Sequence, residues 1–257
     1  FPFSPPYAIL DMKNFPQGRN PQRKRGSGKR RNGMKNLFNM DNPVFQTLSR
    51  IADLAVLSVI CLLCCLPVVT IGPALVALNK TVYDLTIDRG GSILRTYFRA
   101  FRSNLRQGMI TGMFGLLALA ALVCDFLLLR LYYTGNAYTL LVCLVYVLGF
   151  LVAGVLSYML PLIGRYENKL SQHFQNALIL SIRYLPKTIA MVFLHILPLL
   201  LALFLPNMLV FTLPFWMFFG LGFFAQSDAF LLRPVFEMLE RPQPEPQEEL
   251  ADEDEEK

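Results

Sequence analysis

Five stretches of this chain, 51–71, 109–129, 138–163, 189–205 and 208–232, run for 17 to 26 residues with at most one charged side chain in each. About 20 consecutive apolar residues suffice to cross the hydrocarbon of a bilayer. Backbone in that medium has to satisfy its own hydrogen bonds, so such runs become helices. The expected fold class is therefore all-α: a polytopic helical membrane protein with these five runs as strong spans. Composition agrees. Charged residues make up 16% of the chain, against about 25% in soluble domains.

The run that begins at Ile51 is punctuated by Pro67 and then by Gly72-Pro73, after which an apolar segment restarts and carries Lys80 and Asp84. Proline lacks an N–H and clashes with the preceding turn of a helix. The pattern predicts a hairpin with its turn at a membrane surface and a short, marginal sixth helix over 72–87. Upstream, Asp41-Asn42-Pro43 has the composition of a helix start. Downstream, Ser92 precedes a helix whose apolar residues (Ile93, Leu94, Tyr97, Phe98, Phe101, Leu105) and arginines (Arg95, Arg99, Arg102, Arg106) fall on separate faces. A basic amphipathic helix of this kind lies in the headgroup plane, where it contacts lipid or a partner. A second polar helix is predicted over Arg165–Tyr184.

Charge sets the expected topology. Segment 89–106 holds five arginines and no acid, and 164–187 holds four Lys/Arg and one Glu, whereas the turns near 67–72 and 206–207 are uncharged. If basic loops face the cytoplasm, six crossings with both termini inside follow, and a re-entrant 72–87 is the fallback. The two amphipathic helices are then cytoplasmic. Residues 1–33 carry eight bases and one acid without periodicity, and residues 237–257 carry ten acids and two bases. The domain reading is a basic disordered extension over 1–35, with Met34 as a natural start, a membrane domain over 36–236 and an acidic tail over 237–257. No aromatic residue is interleaved with the Arg23–Arg31 cluster, so nucleic acid is not an expected partner. The bilayer is.

Ionisable groups inside a span are costly and are usually paired or functional. Asp53, Lys80, Asp84 and Asp228 meet that description and form a candidate intramembrane polar network, with Lys80 and Asp84 one helical turn apart. The same residues could line a path for a solute. His195 falls in an apolar run near Pro198 and is expected to hydrogen-bond to backbone. The pair Cys61-x-x-Cys64 has no second pair and no nearby histidine, so the cysteines read as packing residues. Catalytic, metal and cofactor motifs are not seen, and no enzymatic activity or cofactor is expected.

Several blocks carry a family likeness. Phe38-Asn-Met-Asp-Asn-Pro-Val-Phe, Ala52-Asp-Leu, Leu66-Pro-Val-Val-Thr-Ile-Gly-Pro-Ala and Tyr97-Phe-Arg-Ala-Phe-Arg-Ser-Asn resemble the YesL family, as do Arg165-Tyr-Glu-Asn and Asn176-Ala-Leu-Ile-Leu-Ser-Ile-Arg-Tyr-Leu-Pro. The resemblance implies a bacterial cell (inner) membrane protein associated with carbohydrate uptake, and as partner a component of an ABC sugar transporter. It supplies no catalytic residues. The expected function is accessory or regulatory and non-enzymatic. The alternative is a small permease with a Lys80/Asp84 site.

Overall fold

The computed structural model describes residues 43–87, 91–132, 134–204 and 214–240. Their regular structure is helical throughout: α1 (Pro43–Cys64), a 3-10 turn (Val68–Thr70), α2 (Ile71–Thr86), α3 (Ile93–Ser103), α4 (Leu105–Tyr132), α5 (Gly135–Arg165), α6 (Leu170–Arg183), α7 (Leu185–Phe204), a π-helical turn (Trp216–Gly220) and α8 (Leu221–Leu239). The basic extension, Asp41-Asn42 of the expected helix start, residues 241–257 of the acidic tail and residues 205–213 of the last expected hairpin lie outside the described residues.

Among the described residues, three helices are long and apolar enough to cross a membrane: Thr47–Cys64 of α1, α4 and α5. A fourth span results if α6 and α7, bent by 100° at their junction, are counted as one. In α4 only Gly108 and Thr111 are buried, while Leu117 and Leu131 are 64% and 77% exposed. An apolar helix that exposes nearly its whole circumference belongs in lipid. The protein is membrane-embedded.

The break between α1 and α2 falls earlier than the proline pattern predicts. It occupies 65–70, and Gly72-Pro73 sits inside the first turn of α2. Proline costs no hydrogen bond there, because the first N–H groups of a helix have no intrahelical acceptor. Thr70 closes the break: its Oγ1 lies 2.6 Å from the Cys64 carbonyl and 2.8 Å from that of Pro67, and so satisfies a carbonyl at the end of α1.

Two glycines allow α2 to start directly on α4. A Cβ on Gly108 would lie 2.7 Å from Pro73 Cα, and one on Gly112 would lie 2.7 Å from the Gly72 backbone. A Cβ on Gly72 would collide with the Gly108 carbonyl. Gly108-x-x-x-Gly112 is the small-residue spacing that permits backbone-to-backbone contact between membrane helices.

This crossing corrects the expected sixth span. The start of α2 meets the first two turns of α4, and Tyr97 of α3 reaches the Ala74 carbonyl at 3.4 Å. Further along, Val76 and Lys80 pack on Gly164 near the end of α5, and Tyr83 lies under Arg165. The first turns of α4 and the end of α5 are one end of the α4–α5 hairpin, tied by Gln107 Nε2 donating to the Asn168 carbonyl at 2.9 Å. Both halves of α2 thus stay at that end, and the opposite end lies about 30 Å away at 1.5 Å per residue. The short helix crosses the foot of the hairpin instead of running its length.

α1 descends toward the same foot. Gly222 of α8 donates its N–H to Ser58 Oγ at 2.8 Å, and Cys61, one turn later, packs beside Tyr97. The buried core gathers there, built around Leu57, Leu78, Tyr97, Tyr158, Leu162 and Phe236.

The glycine crossing predicts a selective cost. Gly108→Ala should lower stability in detergent by about 2 kcal/mol, the scale of overpacking a close contact. Gly149→Ala, where a Cβ would meet only Leu122 Cδ1 at an ordinary 3.7 Å, should leave it nearly unchanged. Melting temperatures of the two purified variants check this.

Candidate functional site

Above the foot, α2, α5, α7 and α8 enclose a cleft of about 330 Å³. Its lining on α5 runs from Ala153 to Leu160, five to twelve residues before Arg165. At 1.5 Å per residue that is about 8–18 Å along the helix axis, within membrane depth. Most of the wall is aliphatic, as with Leu75, Leu78 and Leu156. Four polar side chains interrupt it, one from each helix: Asn79, Ser157, His195 and Asp228.

Each helix places its polar residue on a face otherwise spent on packing. Asn79 is nearly buried, and its Nδ2 donates to the Leu75 carbonyl at 3.0 Å. Ser157 Oγ donates to the Ala153 carbonyl at 2.9 Å. Pro161, one turn beyond, deprives the Ser157 carbonyl of its helical donor. His195 Nδ1 lies 2.6 Å from the Met191 carbonyl. A carbonyl only accepts, so Nδ1 carries a proton, and Nε2 is the ring nitrogen left toward Asp228. The ring stacks on Phe224 with centroids 5.1 Å apart, and Trp216 also stacks on Phe224, at 5.5 Å.

Asp228 sits deepest. Its side chain is 6% exposed, Oδ2 is 3.5 Å from His195 Nε2, and Oδ1 has no hydrogen-bond partner among the described residues. The His195 side chain, 37% exposed, stands at the open side of the cleft. An Asp carboxylate beside a neutral Nε2 would set lone pair against lone pair in a desolvated place. One proton therefore belongs between them, as a carboxylic acid donating to Nε2 or as an imidazolium paired with a carboxylate.

Of the four residues expected to form one network, only Asp228 lines the cleft. Lys80 packs its Cβ against Gly164, one helical face away from Asn79. Asp53 is half-buried in α1, and Asp84 is half-buried near the end of α2. His195 makes the backbone hydrogen bond expected of it and also faces Asp228. Asn79 and Ser157 were visible in the sequence as amide and hydroxyl side chains within apolar runs, a signal too common in helices to single them out. Cys61 is a buried packing residue in the core.

A second polar cluster clamps the foot. The Arg165 guanidinium carbon lies 4.2 Å from the Tyr83 ring, 4.9 Å from Phe236 and 5.8 Å from Tyr166. Its Nε donates to Glu240 Oε1 at 2.7 Å, and Tyr166 OH donates to the same oxygen at 3.1 Å. Burial pushes the Tyr166 hydroxyl above its ordinary value, which keeps it a donor. The clamp joins α2, α5 and the end of α8.

On α3, Tyr97 and Ala100 turn inward while Arg95, Arg99 and Arg102 are exposed. The expected helix through Leu105 stops at Ser103. Asn104 Nδ2 donates to the Ala100 carbonyl at 2.9 Å, and Leu105 and Arg106 belong to the first turn of α4. Arg106 is exposed there as well.

Fold and site together define a helical membrane-embedded protein with a mostly apolar cleft that carries four polar side chains. Residues 51–126 match the family model described as "Protein of unknown function, DUF624". That region contains three of the blocks quoted above, at 52–54, 66–74 and 97–104, and both sides of the glycine crossing. No curated protein and no solved structure matches the chain.

The clamp yields a prediction. Arg165→Lys keeps the charge but loses the planar contact with three rings and the fixed fork toward Glu240. It should cost about 1–2 kcal/mol, read as a fall in melting temperature. Glu240→Gln, which keeps an acceptor, should cost less.

Proposed function

We propose that the protein is a non-enzymatic, multi-pass bacterial inner-membrane protein that binds a small, largely apolar solute in the cleft between α2, α5, α7 and α8. The carrying observation is the cleft: about 330 Å³ of mostly aliphatic wall with four inward polar side chains. Ligand sites have that balance, with apolar bulk for affinity and a few polar groups for orientation. A sugar does not suit it, because four polar side chains would leave most of its hydroxyls desolvated and unpaired. This reading is the permease-like alternative, with the site at Asp228 and His195 in place of Lys80 and Asp84.

The arginines of α3 and the first turn of α4 favour the foot as the cytoplasmic side. That puts the end of α8 inside. It also puts the start of α1 toward the other face, in place of the expectation that both termini are inside. Raising the melting temperature with small aromatic solutes, but not with mono- or disaccharides, supports the cleft as the site. Ala225→Phe fills it from α8 and should abolish the effect. An undiminished effect in a folded Ala225→Phe protein rules the cleft out.

A second reading, accessory to carbohydrate uptake through an ABC-transporter component, rests on the YesL resemblance and on the exposed face of α3. There Leu94 and Phe98, 45% and 47% exposed, adjoin Arg95, Arg99 and Arg102. This pattern lets apolar side chains dip into acyl chains while arginines reach phosphates. Replacing Arg95, Arg99, Arg102 and Arg106 together by Gln should weaken retention of anionic lipid by about 1 kcal/mol per residue. Counting phosphatidylglycerol retained on purification checks this.

A further inference from the structure

We propose that the cleft is a site for a small primary ammonium with an apolar body, and that the bound ammonium displaces the single proton shared by Asp228 and His195. The inference rests on the cleft being the binding site and names the class of its ligand. Three observations carry it.

The first is the inventory of unused polar atoms. Ser157 commits its hydroxyl proton to the Ala153 carbonyl, His195 its Nδ1 proton to the Met191 carbonyl, and Asn79 one of its two amide N–H groups to the Leu75 carbonyl. What remains on these side chains is the second Asn79 N–H against a larger set of acceptors: Asn79 Oδ1, the Ser157 Oγ lone pairs, His195 Nε2 and Asp228 Oδ1, which has no partner among the described residues. Acceptors outnumber donors. The matching ligand brings donors, and –NH₃⁺ brings three with no acceptor.

The second is charge. Lys80 lies against α5 at Gly164, and no Lys or Arg is among the described residues that line the cleft. From α5 the nearest titratable group is Tyr158, which shares a hydrogen bond with Thr188 Oγ1 at 3.3 Å. From α2 the cleft meets neutral Asn79, and from α7 it meets His195. Among the described residues, an ionised Asp228 therefore has no resident cation except a proton on His195. A ligand cation completes the site, and Phe224 adds an aromatic wall of the kind that attracts ammonium groups.

The third is size and access. A cavity of about 150 Å³ is enough for benzene, so this cleft admits one ring with a short aminomethyl arm. Its open side is marked by the part-exposed His195.

The exchange balances. Before binding, Asp228 and His195 hold one proton and no net charge. After binding, Asp228 is a carboxylate, His195 is neutral, the ammonium supplies the positive charge, and the proton leaves to water. Occupancy therefore rises with pH, because protons and ammonium compete for the same carboxylate.

Titrating the purified full chain in detergent with benzylamine, in weak buffer with a pH indicator, tests this. The expected result is close to one proton released per benzylamine bound. Affinity should weaken about tenfold per pH unit below the titration of the pair. Asp228→Asn should weaken binding at least about 50-fold and abolish proton release, and Ser157→Ala should weaken it a few-fold. Benzyltrimethylammonium, which has no N–H, should bind more weakly than benzylamine. Binding of benzylamine without proton release, or equal binding by benzyl alcohol at every pH, overturns the proposal while leaving the cleft as a solute site. If neither compound binds the folded protein, the binding reading fails with it.

Discussion

Backbone-to-backbone contact between Gly72-Pro73 and Gly108/Gly112 is the constraint on which the rest of the arrangement depends. In lipid, helices gain little from hiding apolar side chains from one another, so association relies on close packing. Removing side chains at three positions lets α2 rest on the first turns of α4. With its start fixed there, sixteen residues of helix, about 24 Å, reach across the end of α5 to the clamp formed by Arg165, Tyr83, Phe236 and Glu240. Thus α2 becomes a crossbeam under the hairpin. Its upper face, with Leu75, Leu78 and Asn79, becomes the floor of the cleft.

From that floor the site's chemistry follows. Polar side chains in a helix at membrane depth satisfy themselves first on the carbonyl one turn back, and Asn79, Ser157 and His195 all do so. That habit consumes donors and leaves acceptors. With Asp228 added from α8, the cleft is rich in acceptors, and its donors are reduced to the second Asn79 N–H and the proton held by Asp228 and His195.

Much of the fold was legible in the sequence, and the part that was not has a physical cause. Apolar runs announced α1, α4 and α5, because lipid selects length and hydropathy directly. The break after α1 was visible, but its position was misplaced. Prolines at 67 and 73 look alike in sequence, whereas only the second falls in the first turn of a helix, where a missing N–H has no consequence. The sequence leaves the course of α2 open, between a sixth span and a re-entrant segment, for a related reason. Loop charge reports sidedness but not whether a helix stands or lies, and the glycines that decide this are 36 residues apart, at 72 and 108. Asp228 stood out as an acid in an apolar run. Its partner His195 comes from another helix, and the pairing depends on a tertiary approach that no local spacing encodes. Lys80 and Asp84 are adjacent by helical period, but it is Asn79 that lines the cleft.

The central claim is that α2 lies across the foot of the α4–α5 hairpin instead of returning from its far end. Spin labels at Val69→Cys and Tyr132→Cys, in an otherwise cysteine-free chain, measure it most directly, since both positions are exposed. The twenty residues from Gly112 to Tyr132 make the account predict a separation of about 25 Å or more. A distance below about 15 Å, as for two turns at one face on neighbouring helices, would contradict it.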